Sequence, residues 1–96
     1  MQTMLAAVTT TATGNPFANP AGGAYQATVV GTGAVGATVV FEVSIDGVNW
    51  LTLSTVTLSG TTTATDGFVA VGGWPNVRAR VSAISGTSAA VTALMA

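Results

Sequence analysis

Apolar and polar residues alternate with period two along two stretches of this chain. In residues 38–45, Val39, Phe41, Val43 and Ile45 fall on one side, and Val40, Glu42 and Ser44 on the other. In residues 77–84, Val77, Ala79, Val81 and Ala83 alternate with Arg78, Arg80 and Ser82. Successive side chains of a strand point to opposite faces, so each stretch predicts a strand with one buried face. No window repeats with the 3.6-residue period of an amphipathic helix. Val and Thr dominate, and their β-branching restricts χ1 in a way that suits a pleated surface.

Turn signals recur at roughly ten-residue spacing, as in a sandwich or barrel. Residues 4–13 read as a first strand or an arm. Residues 14–23 form a loop with two turn starts, Asn15-Pro16 and Asn19-Pro20. Strands are predicted at 24–30, 38–45, 50–53 (extended by 56–58 after a kink), 68–71, 77–84 and 89–95. Between them lie a Gly-rich turn at 31–36, a tight Asp46-Gly47 turn, a polar Thr-rich connection at 59–66, a Gly72-Gly73 turn and a Ser85-Gly86-Thr87 turn. Seven or eight short strands in 96 residues fit an all-β fold. The expected architecture is an antiparallel β-sandwich with a Greek-key or jelly-roll path. The whole chain, 1–96, reads as one domain, with 1–23 as an N-terminal arm and hinge.

Composition changes this picture in one respect, the chemistry available. Only 5% of residues are charged, against about 25% in ordinary soluble domains. The acids are Glu42, Asp46 and Asp66, the bases are Arg78 and Arg80, and there is no His, Cys or Lys. Most acid–base and nucleophilic catalysis draws on groups that are missing, so no catalytic residue is assigned and no enzyme is expected. Without Cys there is neither a disulfide nor a thiolate metal site. Two arginines neutralise about two phosphates, too few for nucleic-acid binding. The formal net charge of −1 gives little repulsion between copies, which fits life in a crowded assembly. Residues 1–8 are apolar but lack a cationic start, and Thr9, Thr10 and Thr11 interrupt them, so no signal peptide is expected. The longest apolar stretch, 27–41, holds three glycines and is shorter than a membrane-spanning helix; no membrane association is expected.

Three motifs invite a sharper reading, and each has a plainer one. Gly31-Thr32-Gly33-Ala34-Val35-Gly36 matches the dinucleotide fingerprint G-x-G-x-x-G. That fingerprint works only where its third glycine opens a helix whose N-terminus receives the pyrophosphate. Here a period-two strand follows, so the segment reads as a Gly-rich turn and no cofactor is expected. Asp46, Asn49 and Asp66 are oxygen donors, but calcium takes six to eight ligands and both Asp-Gly pairs already serve as turns, so no metal is assigned. Glu42 and Asp46 sit four apart on or near one strand, about 13 Å, too far for a glycosidase pair.

The remaining candidates concern contact. Arg78 and Arg80 share the outward face of one strand and Glu42 the outward face of another. They form either a cross-strand ion pair or a docking face for a partner's carboxylates. Phe41 and Phe68 read as core, and Trp50 as packing across the sandwich. Phe17 and Trp74 read as plugs over its open end, or as exposed anchors for a partner or a sugar ring. Met4, Leu5, Phe17, Trp74, Arg78 and Arg80 are the candidate interface residues.

Residues 43–53, Val-Ser-Ile-Asp-Gly-Val-Asn-Trp-Leu-Thr-Leu, and 73–81, Gly-Trp-Pro-Asn-Val-Arg-Ala-Arg-Val, followed by Ile84-Ser85-Gly86-Thr87, resemble small β-sandwich proteins of tailed-bacteriophage virions. The shared pattern is a Ser-x-Asp-Gly-x-x-Trp hairpin, an aromatic corner and a Val-Arg-x-x-Val strand. It covers roughly the last two thirds of the chain, and the first 23 residues take no part in it. The resemblance implies a non-enzymatic head decoration, or cement, protein on the capsid surface. Its partner would be the major capsid protein or another virion protein, and it would act as a homo-oligomer. The 1–23 arm would suit adding a strand to a neighbour's sheet edge. The same hairpin is similar to that of discoidin-type carbohydrate-binding domains. The alternative function is therefore a carbohydrate- or receptor-binding module on a virion, tail fibre or cell surface, with Trp74, Tyr25 or Phe17 as stacking platform.

Overall fold

The computed structural model describes residues 2–18, 23–70 and 74–96. Five strands, β1 (Gln2–Val8), β2 (Ala12–Thr13), β3 (Ala24–Ser44), β4 (Leu51–Val69) and β5 (Asn76–Met95), form one antiparallel sheet. Its order is β1-β5-β3-β4, with β2 paired to β5 beyond the end of β1. The all-β, antiparallel expectation holds. The expected seven or eight strands do not, because segments read as separate strands are halves of longer ones. Residues 24–30 and 38–44 both belong to β3, and 77–84 and 89–95 both belong to β5. The Thr-rich connection at 59–66 lies inside β4. The expected turns at Asn19-Pro20 and Gly72-Gly73 lie outside the described residues.

These long strands cannot be straight. Twenty-one residues at about 3.3 Å each would span about 70 Å, yet the longest dimension of the molecule is 39 Å. Ladder irregularities mark where the sheet bends. The β3 register shifts between Val30 and Ala34 against β4, and between Val30 and Gly36 against β5. At the same level β4 carries Thr62 at φ 64°, and β5 carries Gly86 at φ 114° and Ser88 at φ 56°. Extra residues and left-handed backbone at one level of three adjacent strands crease the sheet, as β-bulges do. The dinucleotide-like glycine motif is this crease, not a turn between two strands. Gly33 takes φ 72° there.

The crease brings the two halves face to face. Tyr25 and Phe41 are sixteen residues apart on one strand, yet their rings meet edge to face with centroids 5.4 Å apart. Phe68 completes the cluster, stacked on Tyr25 at 4.9 Å and edge-on to Phe41 at 5.2 Å. Around these rings lie inward-facing Ala27, Val29, Val39, Val43, Val77 and Val91, all essentially inaccessible. Burial raises the Tyr25 phenol above its ordinary pKa, as expected when the charged form would lose solvation.

Two alternation readings need correction. The far face of β3 is not solvated at its C-terminal end: every residue from Val39 to Ser44 is buried. On β5, a register shift opposite Thr38/Val39 breaks the alternation. Ala83, expected inside, is exposed, while Ile84 packs against the core. A one-residue slip reverses the side chains up to the next irregularity, here the crease, beyond which Ala89, Val91, Ala93 and Met95 again face inward; period counting does not detect this.

The N-terminal segment is not a free arm. Gln2 pairs with Met95 and Val8 with Val91; Ala12 pairs with Val81 and Thr13 with Arg80. Gly14 then donates its N–H to the Ala79 carbonyl at 2.8 Å, and Phe17 exchanges two backbone hydrogen bonds with Val77 at 2.7 Å. Residues 2–17 thus pair with both ends of β5 in their own chain, at 91–95 and at 77–81, and Met4 and Leu5 are buried in the core.

Candidate functional site

The best-organised surface feature is the hairpin joining β3 to β4, residues 44–50. Asp46 builds it. Its Oδ1 accepts the Val48 and Asn49 N–H groups at 2.8 Å and the Ser44 hydroxyl at 2.9 Å, and its Oδ2 accepts the Asn49 amide at 2.8 Å. Ser44 Oγ in turn accepts the Gly47 N–H at 2.9 Å. Hydrogen bonds to the ionised form favour it, so the Asp46 carboxyl lies far below the usual carboxylate range; the Asn49 and Val48 backbone N–H groups contribute most. Asp46 and Asn49 therefore satisfy each other and the turn. Asp66 lies on the other half of the sheet, opposite Ala27, and accepts its own neighbour's Gly67 N–H. No group of three His, Cys, Asp or Glu side chains that could hold a metal ion occurs among the described residues.

The Ser-x-Asp-Gly-x-x-Trp pattern thus has a structural reading, a turn locked by its own side chains. What it presents to solvent is apolar. Ile45 is 74% exposed, Val48 77% and Leu51 57%. Ile45 and Leu51, with half-buried Trp74 and polar Ser44, Asp46 and Asn49, line a shallow depression. Strict alternation puts Ile45 in the core by extending the strand one residue too far. It passes over Val48, although a valine inside an Asp-Gly-x-Asn turn is a visible signal.

Beside the hairpin sits the charge cluster. Glu42 pairs directly with Arg78 across the β3–β5 ladder. Arg78 Nε donates to Glu42 Oε1 at 2.9 Å, and Arg80 Nε lies 3.6 Å from Oε2. The Arg78 guanidinium also lies over the Trp50 ring, 4.1 Å from its centroid, within cation–π range. Trp50 therefore covers an ion pair on the outer face; it does not pack between the layers. Glu42, itself buried, is held between two arginines. Its removal leaves two neighbouring guanidiniums without their common counter-charge, and a lost partner costs more than the pair itself contributes. Glu42→Ala is expected to lower stability by about 1–3 kcal/mol in urea denaturation; the double variant Glu42→Ala/Arg78→Ala should recover part of this.

The candidate interface residues do not form one surface. Met4 and Leu5 are interior. Phe17, bridged to Val77, and Trp74 are half-buried and pack against the core. Arg78 and Arg80 are engaged with Glu42. Of the proposed stacking platforms, Tyr25 is buried.

Compared with protein-family models, curated proteins and solved structures, the chain matches none.

Proposed function

We propose that this chain is a non-enzymatic structural protein of a tailed-bacteriophage virion, a head decoration protein that binds the shell through apolar contact. The observation that carries this reading is the hairpin tip, where a turn locked by four hydrogen bonds to Asp46 holds Ile45 and Val48 out into solvent. An exposed aliphatic pair on a rigid support loses little conformational freedom when buried by a partner, so most of the hydrophobic gain remains as affinity. The charged groups support the same reading. Glu42, Arg78 and Arg80 neutralise one another and Asp46 closes a turn, which leaves them poorly placed for proton transfer.

The carbohydrate-binding alternative is less well supported. The polar groups beside Trp74 are Ser44, Asp46 and Asn49, and these are already bonded to one another within the turn, whereas a sugar site needs free donors and acceptors around its stacking ring.

The decisive measurement is quantitative mass spectrometry of purified particles, comparing copies of this chain with copies of the shell protein. It is paired with binding of purified wild type and Ile45→Ser/Val48→Ser to undecorated heads. Hundreds of copies per particle, and loss of head binding in the variant with an unchanged circular dichroism spectrum, are expected. Absence from particles, or glycan binding that depends on Trp74, would overturn the reading.

A further inference from the structure

The sheet has two edges, and they are built differently. On one side, β1 has two register shifts, Ala7 at φ 47° and a break before β2. Such irregularity blunts an edge against further pairing. On the other side, β4 is paired to β3 in unbroken runs over 54–61 and 63–69, with irregularities only at the crease and opposite Phe41/Glu42, and, among the described residues, to no other strand. It contains no Pro, no Lys and no Arg, and its single charge is Asp66. Natural edge strands of this length normally carry a protective charge, a proline or a cover.

We infer that the β4 edge is an interface with a second copy of this chain, the two β4 strands pairing edge to edge about a two-fold axis. Three observations favour a second copy over another occupant. The first is chemical self-complementarity. Thr52, Thr55, Thr57 and Ser59 are exposed along the edge, and Thr65 already makes a hydroxyl–hydroxyl bond of 3.0 Å to Thr28 on the β3 side. Thr–Thr and Thr–Ser pairs across strands are favourable, and the same side chains on a second β4 would continue them. The second is charge: from Leu51 to Thr65 the edge has none, so it offers nothing to select an acidic or basic partner, and a net charge of −1 repels a copy only weakly. The third is area. Because the sheet is creased, both halves of β4 lie on this side of the molecule, and the edge is two layers deep. An edge about 34 Å long by 17 Å deep gives about 600 Å² per copy, or about 1,200 Å² in all, the lower end of a stable specific interface. The blunted β1 edge makes like-with-like pairing the regular choice, and this closes as a dimer where β4-to-β1 pairing would run on as a filament. The inference is independent of the virion reading.

Sedimentation equilibrium of the full chain tests it, with Thr55→Lys/Thr57→Lys placing like charges across the new ladder and Thr9→Lys/Thr11→Lys as the control on the opposite side. A wild-type dimer with Kd at or below about 10 µM is expected. The edge variant should be monomeric at that concentration with an unchanged circular dichroism spectrum, and the control should remain dimeric. Hydrogen exchange of the wild type gives a reading that needs no variant: β4 amides should slow as protein concentration rises. A wild type that stays monomeric, an edge variant that still dimerises, or β4 protection that appears only when another protein is added would overturn the inference.

Discussion

Phe41→Ala is expected to remove about 3–5 kcal/mol of folding stability, the range for deleting a buried aromatic ring. Phe41 is fully inaccessible and touches the rings of both Tyr25 and Phe68. Its position makes the loss severe. Tyr25 and Phe68 pair across the β3–β4 ladder on one half of the sheet, and Phe41 reaches them from the other half. Truncating it leaves a cavity where the two halves meet, and adds the loss of edge-to-face contacts beyond simple area burial. A 96-residue domain has on the order of 5–14 kcal/mol in total, so the variant should be marginal at 37 °C. Urea denaturation followed by near-ultraviolet circular dichroism checks this. Phe68→Ala should cost less, because Phe68 is half-buried. A Phe41→Ala loss under about 1 kcal/mol would mean that the halves are not held together by this ring.

Gly86→Val is expected to be comparably damaging, about 3 kcal/mol or more, for a different reason. Gly86 lies at the crease with φ 114°, a conformation that side chains other than glycine's rarely adopt. A Cβ there would stand 2.8 Å from the Ala34 carbonyl oxygen and 3.1 Å from the Val35 Cα. Both are backbone atoms of the neighbouring strand and cannot rotate away, so relief requires opening the bend. Gly33 separates strain from overlap. It has φ 72°, but a methyl group added there would meet nothing within 4 Å, so Gly33→Ala should cost only about 1 kcal/mol. Thermal melts of the two variants should therefore differ widely. Equal losses would show that overlap with Ala34 does not limit the bend.

Much of the local structure was legible in the sequence because it follows from short-range rules. Alternation at 38–45 and 77–84 marked strands, since the pleat has period two whatever the strand's neighbours. Asp46-Gly47 marked the β3–β4 hairpin, since an Asp side chain can bond the backbone two and three residues on. Placing Arg78, Arg80 and Glu42 on outward faces allowed the ion pair, and the β3–β5 ladder then formed it. The scarcity of charge, with its consequences for chemistry and association, needed no structure at all.

Tertiary structure decided the rest. Gly31 to Gly36 and Ser85 to Thr87 carry the same local signal whether a strand turns into its neighbour or creases and continues. The outcome depends on whether adjacent strands bend at the same level, and Thr62 and Gly86 do so. Three long creased strands and the several short ones read from the sequence are therefore nearly indistinguishable by local pattern, and differ only in long-range pairing. The N-terminal segment was ambiguous in the same way: an extended stretch fits any free sheet edge, and only the folded chain shows that the edge of its own β5 takes it. The exposure of Ile45 and Val48 was settled by where β3 ends, and that end is set by the hydrogen bonds of Asp46, not by the hydrophobicity of the residues themselves.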